Sequence, residues 1–174
     1  GVSNKKTKQT DFVGSKYNDI ITGTAKVDNI TTGDGDDRIT SGKGNDIITI
    51  NGSGTKTINI ANGDGNDTIK FESNSTIGVA NLVLNTNDGI SWANDGNNLV
   101  IYRTYDSGNN IVTEKTIIEN YNGYGFNKNR IKINGEVFDT SQNFQMVQGN
   151  SKNKNTVDIS EDGKLYTAGS AADN

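Results

Sequence analysis

Residues 14–49 decide how this chain is read. Cut into blocks of nine, they run GSKYNDIIT (Gly14 to Thr22), GTAKVDNIT (Gly23 to Thr31), TGDGDDRIT (Thr32 to Thr40) and SGKGNDIIT (Ser41 to Thr49). Asp stands sixth in each block, as Asp19, Asp28, Asp37 and Asp46. Ile stands eighth, as Ile21, Ile30, Ile39 and Ile48, and every block closes on Thr. A fixed period held without a gap marks a repeat architecture. The register then slips. Ile50 is extra, and NGSGTKTIN (Asn51 to Asn59) carries Lys56 where Asp belongs. Ile60 and Ala61 are extra too, before NGDGNDTIK (Asn62 to Lys70) restores the pattern with Asp67 and Ile69.

Each block is a turn followed by a short strand. The glycine pairs Gly33 and Gly35, Gly42 and Gly44, and Gly63 and Gly65 supply positive φ at low steric cost. The β-branched residues that follow favour extended backbone, with one Ile per block facing a thin core. Two blocks make one coil, and stacked coils bring like turns ~4.8 Å apart. This predicts an all-β fold, a right-handed parallel β-roll, over about 11–70.

Such a stack creates an electrostatic problem. Residues 1–70 hold nine Asp and no Glu, which selects a short carboxylate fixed near the backbone. Turns stacked on one edge place these carboxylates and unpaired carbonyls in a row. A Ca²⁺ ion between successive turns satisfies both, because it takes 6–8 oxygens at about 2.3–2.6 Å. Turns alternate edges, so an ion bridges a block and the next but one. The expected pairs are Asp19 with Asp37, Asp28 with Asp46, and Asp46 with Asp67. Carbonyls at Gly33, Gly35, Gly42, Gly44, Gly63 and Gly65 and at the adjoining turn residues Thr32, Asp34, Ser41 and Lys43 complete the candidate metal set. Two to four ions fit these pairings. Lys56 removes side-chain ligation from the fifth block.

These blocks resemble the repeat-in-toxin (RTX) nonapeptide GGxGxDxUx, with U a large apolar residue. TGDGDDRIT, SGKGNDIIT and NGDGNDTIK match it best. The first two blocks depart from it, with Ser15 and Thr24 in place of the first turn glycine and Tyr17 and Lys26 in place of the second. The resemblance implies a calcium-binding module of a secreted bacterial protein. It implies export by type I secretion machinery, folding outside the cell or at its surface, and a larger parent chain that is a toxin, adhesin or exoenzyme. A ligand-binding or surface-attachment module of an adhesin or surface-layer protein is the alternative.

The second half reads differently. Ten of the twelve aromatic residues lie at Phe71 or later, too many for a thin roll. Short strand-like runs occur at 81–85, 91–92, 99–102, 116–118, 130–133 and 136–138. Asn134-Gly135 between IKI and EVF is a two-residue hairpin signal, and Asp88-Gly89 and Asp95-Gly96 mark further turns. ISWANDGNNLVIYRT, TEKTIIENYNGYG and RIKINGEVF resemble the flanking segment that follows RTX repeats and caps them with antiparallel strands. The expected organisation is a flexible lead (1–10), the roll (11–70), an antiparallel cap (71–148) and a polar segment (149–174). The last ends in TAGSAADN, which resembles TGTAKVDN at Thr22 to Asn29 and reads as either a tail or the entry to another repeat block. Phe71, Leu82, Leu84, Trp92, Leu99, Ile101, Ile117, Ile131, Ile133, Val137 and Phe138 are the expected cap core.

Composition narrows the function classes. The net charge is −4, which disfavours a nucleic-acid partner, and the basic run Lys5, Lys6 and Lys8 is too short to reverse this. No His and no Cys are present, which removes disulfides, imidazole bases and the usual zinc, copper or haem ligands. No apolar run approaches the ~20 residues of a membrane span. A serine triad is impossible without His, and neither a phosphate-binding loop nor an EF-hand fits the glycine and Asp spacing. Glu114 and Glu119 read as surface salt-bridging residues. The chain is expected to be non-enzymatic and monomeric.

Overall fold

A computed structural model describes residues 9–73, 75–86 and 89–138, together with the backbone of 145–148 and 164–167. The run Lys5, Lys6 and Lys8, Asp88 and most of 149–174 lie outside the described residues. The alternation of turn and β-branched triplet produces strands of three to five residues over 10–50 and 67–71, on one half of each coil and the other. β1 (Thr10–Val13), β3 (Asp28–Thr31), β5 (Ile47–Ile50) and β7 (Asp67–Phe71) stack in parallel in one sheet. β2 (Ile20–Thr22), β4 (Asp37–Thr40), β6 (Ser53–Ala61) and β8 (Thr76–Asn85) stack in parallel in the other. The chain thus winds a parallel β-solenoid of about four turns.

The register sets the eighth-position isoleucines directly over one another. Ile30 pairs with Ile48 and Ile48 with Ile69 in the first sheet. Ile21 pairs with Ile39, Ile39 with Ile58 and Ile58 with Leu82 in the second. All are buried between the sheets. Each buried Ile contributes about 1.5–3 kcal/mol relative to an exposed one, so a single file of them supports a narrow core. The extra residues lengthen that core. Ile50 aligns with Phe71 and Ile60 with Leu84, and both isoleucines are fully buried.

The parallel ladder does not stop at residue 70. β8 continues it with Ile77 facing inward and then, past an irregularity opposite Gly54 and Lys56, Ala80, Leu82 and Leu84 in period two, with no glycine turn of its own. β11 (Ile111–Ile118) adds to the first sheet in parallel with β7, and β12 (Ile131–Ile133) adds to the second in parallel with β8. Among the described residues, antiparallel pairing is confined to β9 (Gly89–Asp95), β10 (Asn98–Asp106) and β11, and to the hairpin of β12 with β13 (Glu136–Val137). That hairpin turns at Asn134-Gly135, both with positive φ (50° and 84°), as a type I′ turn requires. A single 3₁₀ turn precedes β12, at Lys128–Arg130. β14 (Gln145–Gln148) and β15 (Lys164–Thr167) form a separate parallel pair.

Aromatic rings close the solenoid. Trp92 packs edge-to-face on Phe138 at 5.8 Å, and Phe71 packs edge-to-face on Phe126 at 5.2 Å. The buried Tyr121 ring joins both groups, and its hydroxyl donates to Phe138 O at 2.9 Å. Two expected core residues lie further out. Ile117 is half-buried because the strand alternation turns Ile118 inward instead, and Val137 is exposed on the outer strand of its hairpin. Among the described residues, no helix is long and apolar enough to cross a membrane.

Candidate cation sites at the turn edges

The turns fall on two edges of the solenoid. One edge carries the turns that end in Asp28, Asp46 and Asp67, and the other those that end in Asp19, Asp37 and Lys56. Within each turn the backbone must reverse sharply against the coil below. Gly42 and Gly44 do so at φ +88° and +137°, and a Cβ on Gly44 would stand 2.6 Å from Lys26 O. Only glycine meets both conditions without strain.

The sixth-position carboxylates clamp neighbouring coils. Asp37 Oδ1 accepts from the Asp19 amide at 2.9 Å, Asp46 Oδ1 from Asp28 at 2.8 Å, and Asp67 Oδ1 from Asp46 at 2.9 Å. A second ladder runs at the fifth position, where Asn18, Asp36, Asn45 and Asn66 accept amide hydrogens from the coil above. The sequence reading missed this ladder. Its signal was the preference for Asn or Asp at that place in four blocks.

The fate of the second carboxylate oxygen separates the sites. Asp19 bends back onto the Ser15 amide and hydroxyl (2.6 and 3.0 Å), and Asp28 onto those of Thr24 (2.5 and 2.9 Å). These are the two blocks that lack the turn glycines, and their own polar side chains satisfy the acid. Asp37 Oδ2 meets the Lys56 ammonium at 2.6 Å. Asp67 Oδ2 has Ser41 Oγ at 3.5 Å, a weak contact. Asp46 Oδ2 is buried and has no hydrogen-bond partner.

The edge holding Asp46 and Asp67 is therefore short of positive charge. Burial raises the Asp67 pKa to about 7, and the adjacent Asp46 and Asp64 charges add to the shift. Burial likewise raises Asp46 to about 6, with Asp28 and Asp64 adding. Asp64 is raised for the same first reason. Two ionised carboxylates in this position require a cation. No three acidic side chains converge on one point among the described residues, so main-chain oxygens must provide the remainder of any metal shell.

The other candidate ligands take varied positions. Thr32 is buried, and its hydroxyl exchanges bonds with the Asn51 backbone. Asp34 accepts from the Ser53 amide and hydroxyl. Ser41 is buried beside Asp67, whereas the Lys43 side chain is exposed and its charge acts on Asp64. Gly33 O and Gly35 O accept from Lys56, and Gly65 O accepts from Arg103 at 2.9 Å. Arg103 was not anticipated. It is fully buried and also pairs with Glu114 at 3.1 Å, so that Glu114 is no free surface acid. The alternation Leu99, Ile101, Arg103 was the available signal, because it puts the arginine on the buried face.

Comparison with known proteins agrees with the repeat. Residues 13–48 match the family model described as RTX calcium-binding nonapeptide repeat (4 copies). No curated protein matches the chain. Among solved structures, the AlgE6R3 subunit of the Azotobacter vinelandii mannuronan C5-epimerase aligns at 18% identity and a TM-score of 0.33, covering 68% of this chain and 79% of that one. Residues 13–48, four blocks in unbroken register, thus carry the RTX calcium-binding nonapeptide repeat.

Proposed function

We propose that this chain is a calcium-dependent folding module and that Ca²⁺ binds between the turns ending in Asp46 and Asp67. One observation carries the reading. Asp46 Oδ2 is a buried carboxylate oxygen without a partner, stacked beside a second buried carboxylate. The donor chemistry suits a hard divalent cation, since carboxylates and glycine carbonyls are its preferred ligands. Asp46 and Asp67 would hold the ion with the carbonyls of Gly42, Gly44 and Asp64. The ion would supply the positive charge that lets both acids stay ionised while buried, and its binding free energy would add to folding.

RTX repeats are characteristic of secreted bacterial proteins. On that basis we read the module as one that stays loose at low cytosolic calcium and sets outside the cell. It would support type I secretion and folding of a larger toxin, adhesin or exoenzyme, and would itself be non-enzymatic.

Circular dichroism tests the reading. In excess chelator the far-UV spectrum is expected to be largely disordered, and millimolar Ca²⁺ should convert it to a β spectrum. Asp46→Ala or Asp67→Ala should raise the calcium midpoint at least tenfold, and Asp95→Ala should leave it within twofold. A chain equally folded in chelator, or equal effects of the three substitutions, would refute it.

A further inference from the structure

Lys56 breaks the repeat, yet the turn edge it sits on is better satisfied than the opposite one. Its side chain is fully buried. The ammonium Nζ lies 2.6 Å from Gly33 O, 2.8 Å from Gly35 O, 2.6 Å from Asp37 Oδ2 and 2.8 Å from Ser53 O. These are the second- and fourth-position carbonyls and the sixth-position carboxylate of one turn, plus a third-position carbonyl from the next coil. An ammonium has three protons, so four oxygens around it form an electrostatic cage as much as a set of directed bonds.

The opposite edge repeats the same positions with Gly42, Gly44, Asp46 and Asp64. There the residue equivalent to Lys56 is Asp67, and the carboxylate oxygen equivalent to Asp37 Oδ2 is Asp46 Oδ2, which has no partner. One side chain thus separates an edge whose carboxylate is paired from an edge whose carboxylate is not.

We propose that the Lys56 ammonium is the resident cation of the Gly33–Asp37 turn, a tethered substitute for a metal ion. This edge of the solenoid then holds no calcium ion of its own, and calcium binding belongs to the edge of Asp46 and Asp67. The inference rests on the calcium reading given above for that second edge. A tethered charge is present at fixed local concentration whatever the surrounding calcium. It also excludes a divalent ion from the same oxygens, because the ammonium already fills the space between them and would repel a second cation there.

Two measurements test this. The first is amine acylation of the unaltered chain in saturating calcium, read residue by residue by mass spectrometry. Lys56 should react at least tenfold more slowly than the exposed Lys16 and Lys43. Equal rates would mean that calcium displaces the ammonium, and would overturn the proposal. The second is calorimetric titration with calcium chloride. Lys56→Asp should bind one ion more than the unaltered chain, and an unchanged count would overturn the proposal. Lys56→Met, which fills the space without the charge, should need several-fold more calcium to fold. The two readings fail separately. A chain that binds no calcium but keeps Lys56 protected loses the calcium function and retains the tethered cation. A chain that binds calcium with Lys56 freely labelled does the reverse.

Discussion

At the scale of single residues, the charge state of Asp46 and Asp67 governs how the solenoid responds to pH. Their folded values, about 6 and about 7, stand above the ordinary 3.8 because burial disfavours the ionised form. A carboxyl raised in this way holds its proton in the folded state where the unfolded chain has lost it. The calcium-free fold therefore has this contribution in full below pH ~4 and loses it as pH rises through 6 to 7. Calcium competes with the same protons, so its effect should grow over the same window. The residual β signal in chelator should be larger at pH 5 than at pH 8, and the gain in β signal on adding calcium should be larger at pH 8. A chelated β signal that grows from pH 5 to pH 8 would contradict the burial of these acids. The aspartates could be read from the repeat, because a single residue type at a fixed place is visible without coordinates. The role of Lys56 could not. A repeat template registers only a missing acid there, while the cage depends on which turn lies opposite, and the slip at Ile50 hides that pairing.

At the scale of the element, each short strand from β2 to β5, and β7, offers the core one or two inward residues, and stability comes from stacking them. Ile48 stands between Ile30 and Ile69 and is fully buried, whereas Ile20 points outward from β2 and is 84% exposed. Ile48→Ala should cost ~2–5 kcal/mol, as large-to-small changes in a packed core do, and Ile20→Ala should stay within ~0.5 kcal/mol. Denaturant midpoints in saturating calcium measure both, and similar losses at the two sites would deny the inward ladder. The ladder itself was legible as Ile at every eighth place. The extra residues were not interpretable in the same way. An insertion looks alike in sequence whether it bulges out or lengthens a strand, and the apolar partners Phe71 and Leu84 decide the matter here. The run 81–85 was legible as a strand, but its place in the parallel stack as part of β8 was hidden for a related reason. It continues the parallel stack by simple alternation, without the glycine turn that had served as the marker of a coil.

At the scale of the whole molecule, the solenoid has to end, and its last turn meets β10 and β11 through buried charge. Arg103 donates to Gly65 O at 2.9 Å and pairs with Glu114 at 3.1 Å. Glu114 in turn accepts from the Gly63 amide at 3.0 Å and the Tyr105 hydroxyl at 2.9 Å. The final turn beside Asp67 is thus closed by an arginine from the flanking strands, where a further coil would otherwise have stacked. Sequence alone suggested aromatic closure, and Trp92 of β9, Tyr121 and Phe138 beyond the β12–β13 hairpin supply it. The polar closure escaped notice because Arg103 and Gly65 are 38 residues apart and no pattern links them. Breaking a buried pair from one side strands the remaining charge, which costs about 3–5 kcal/mol, whereas removing both charges costs far less. Arg103→Met should therefore destabilise the calcium-loaded protein strongly, since Glu114 is left ionised among Gly63, Tyr105 and Asp64. Adding Glu114→Gln should recover ~1–3 kcal/mol of that loss, because the amide oxygen still accepts from Gly63 while carrying no charge. Lys115→Met, on the exposed face of β11, is the control and should change little. If the double variant is as unstable as the sum of the two single ones, the arginine acts only by filling space, and the charge-based closure of the last turn is wrong.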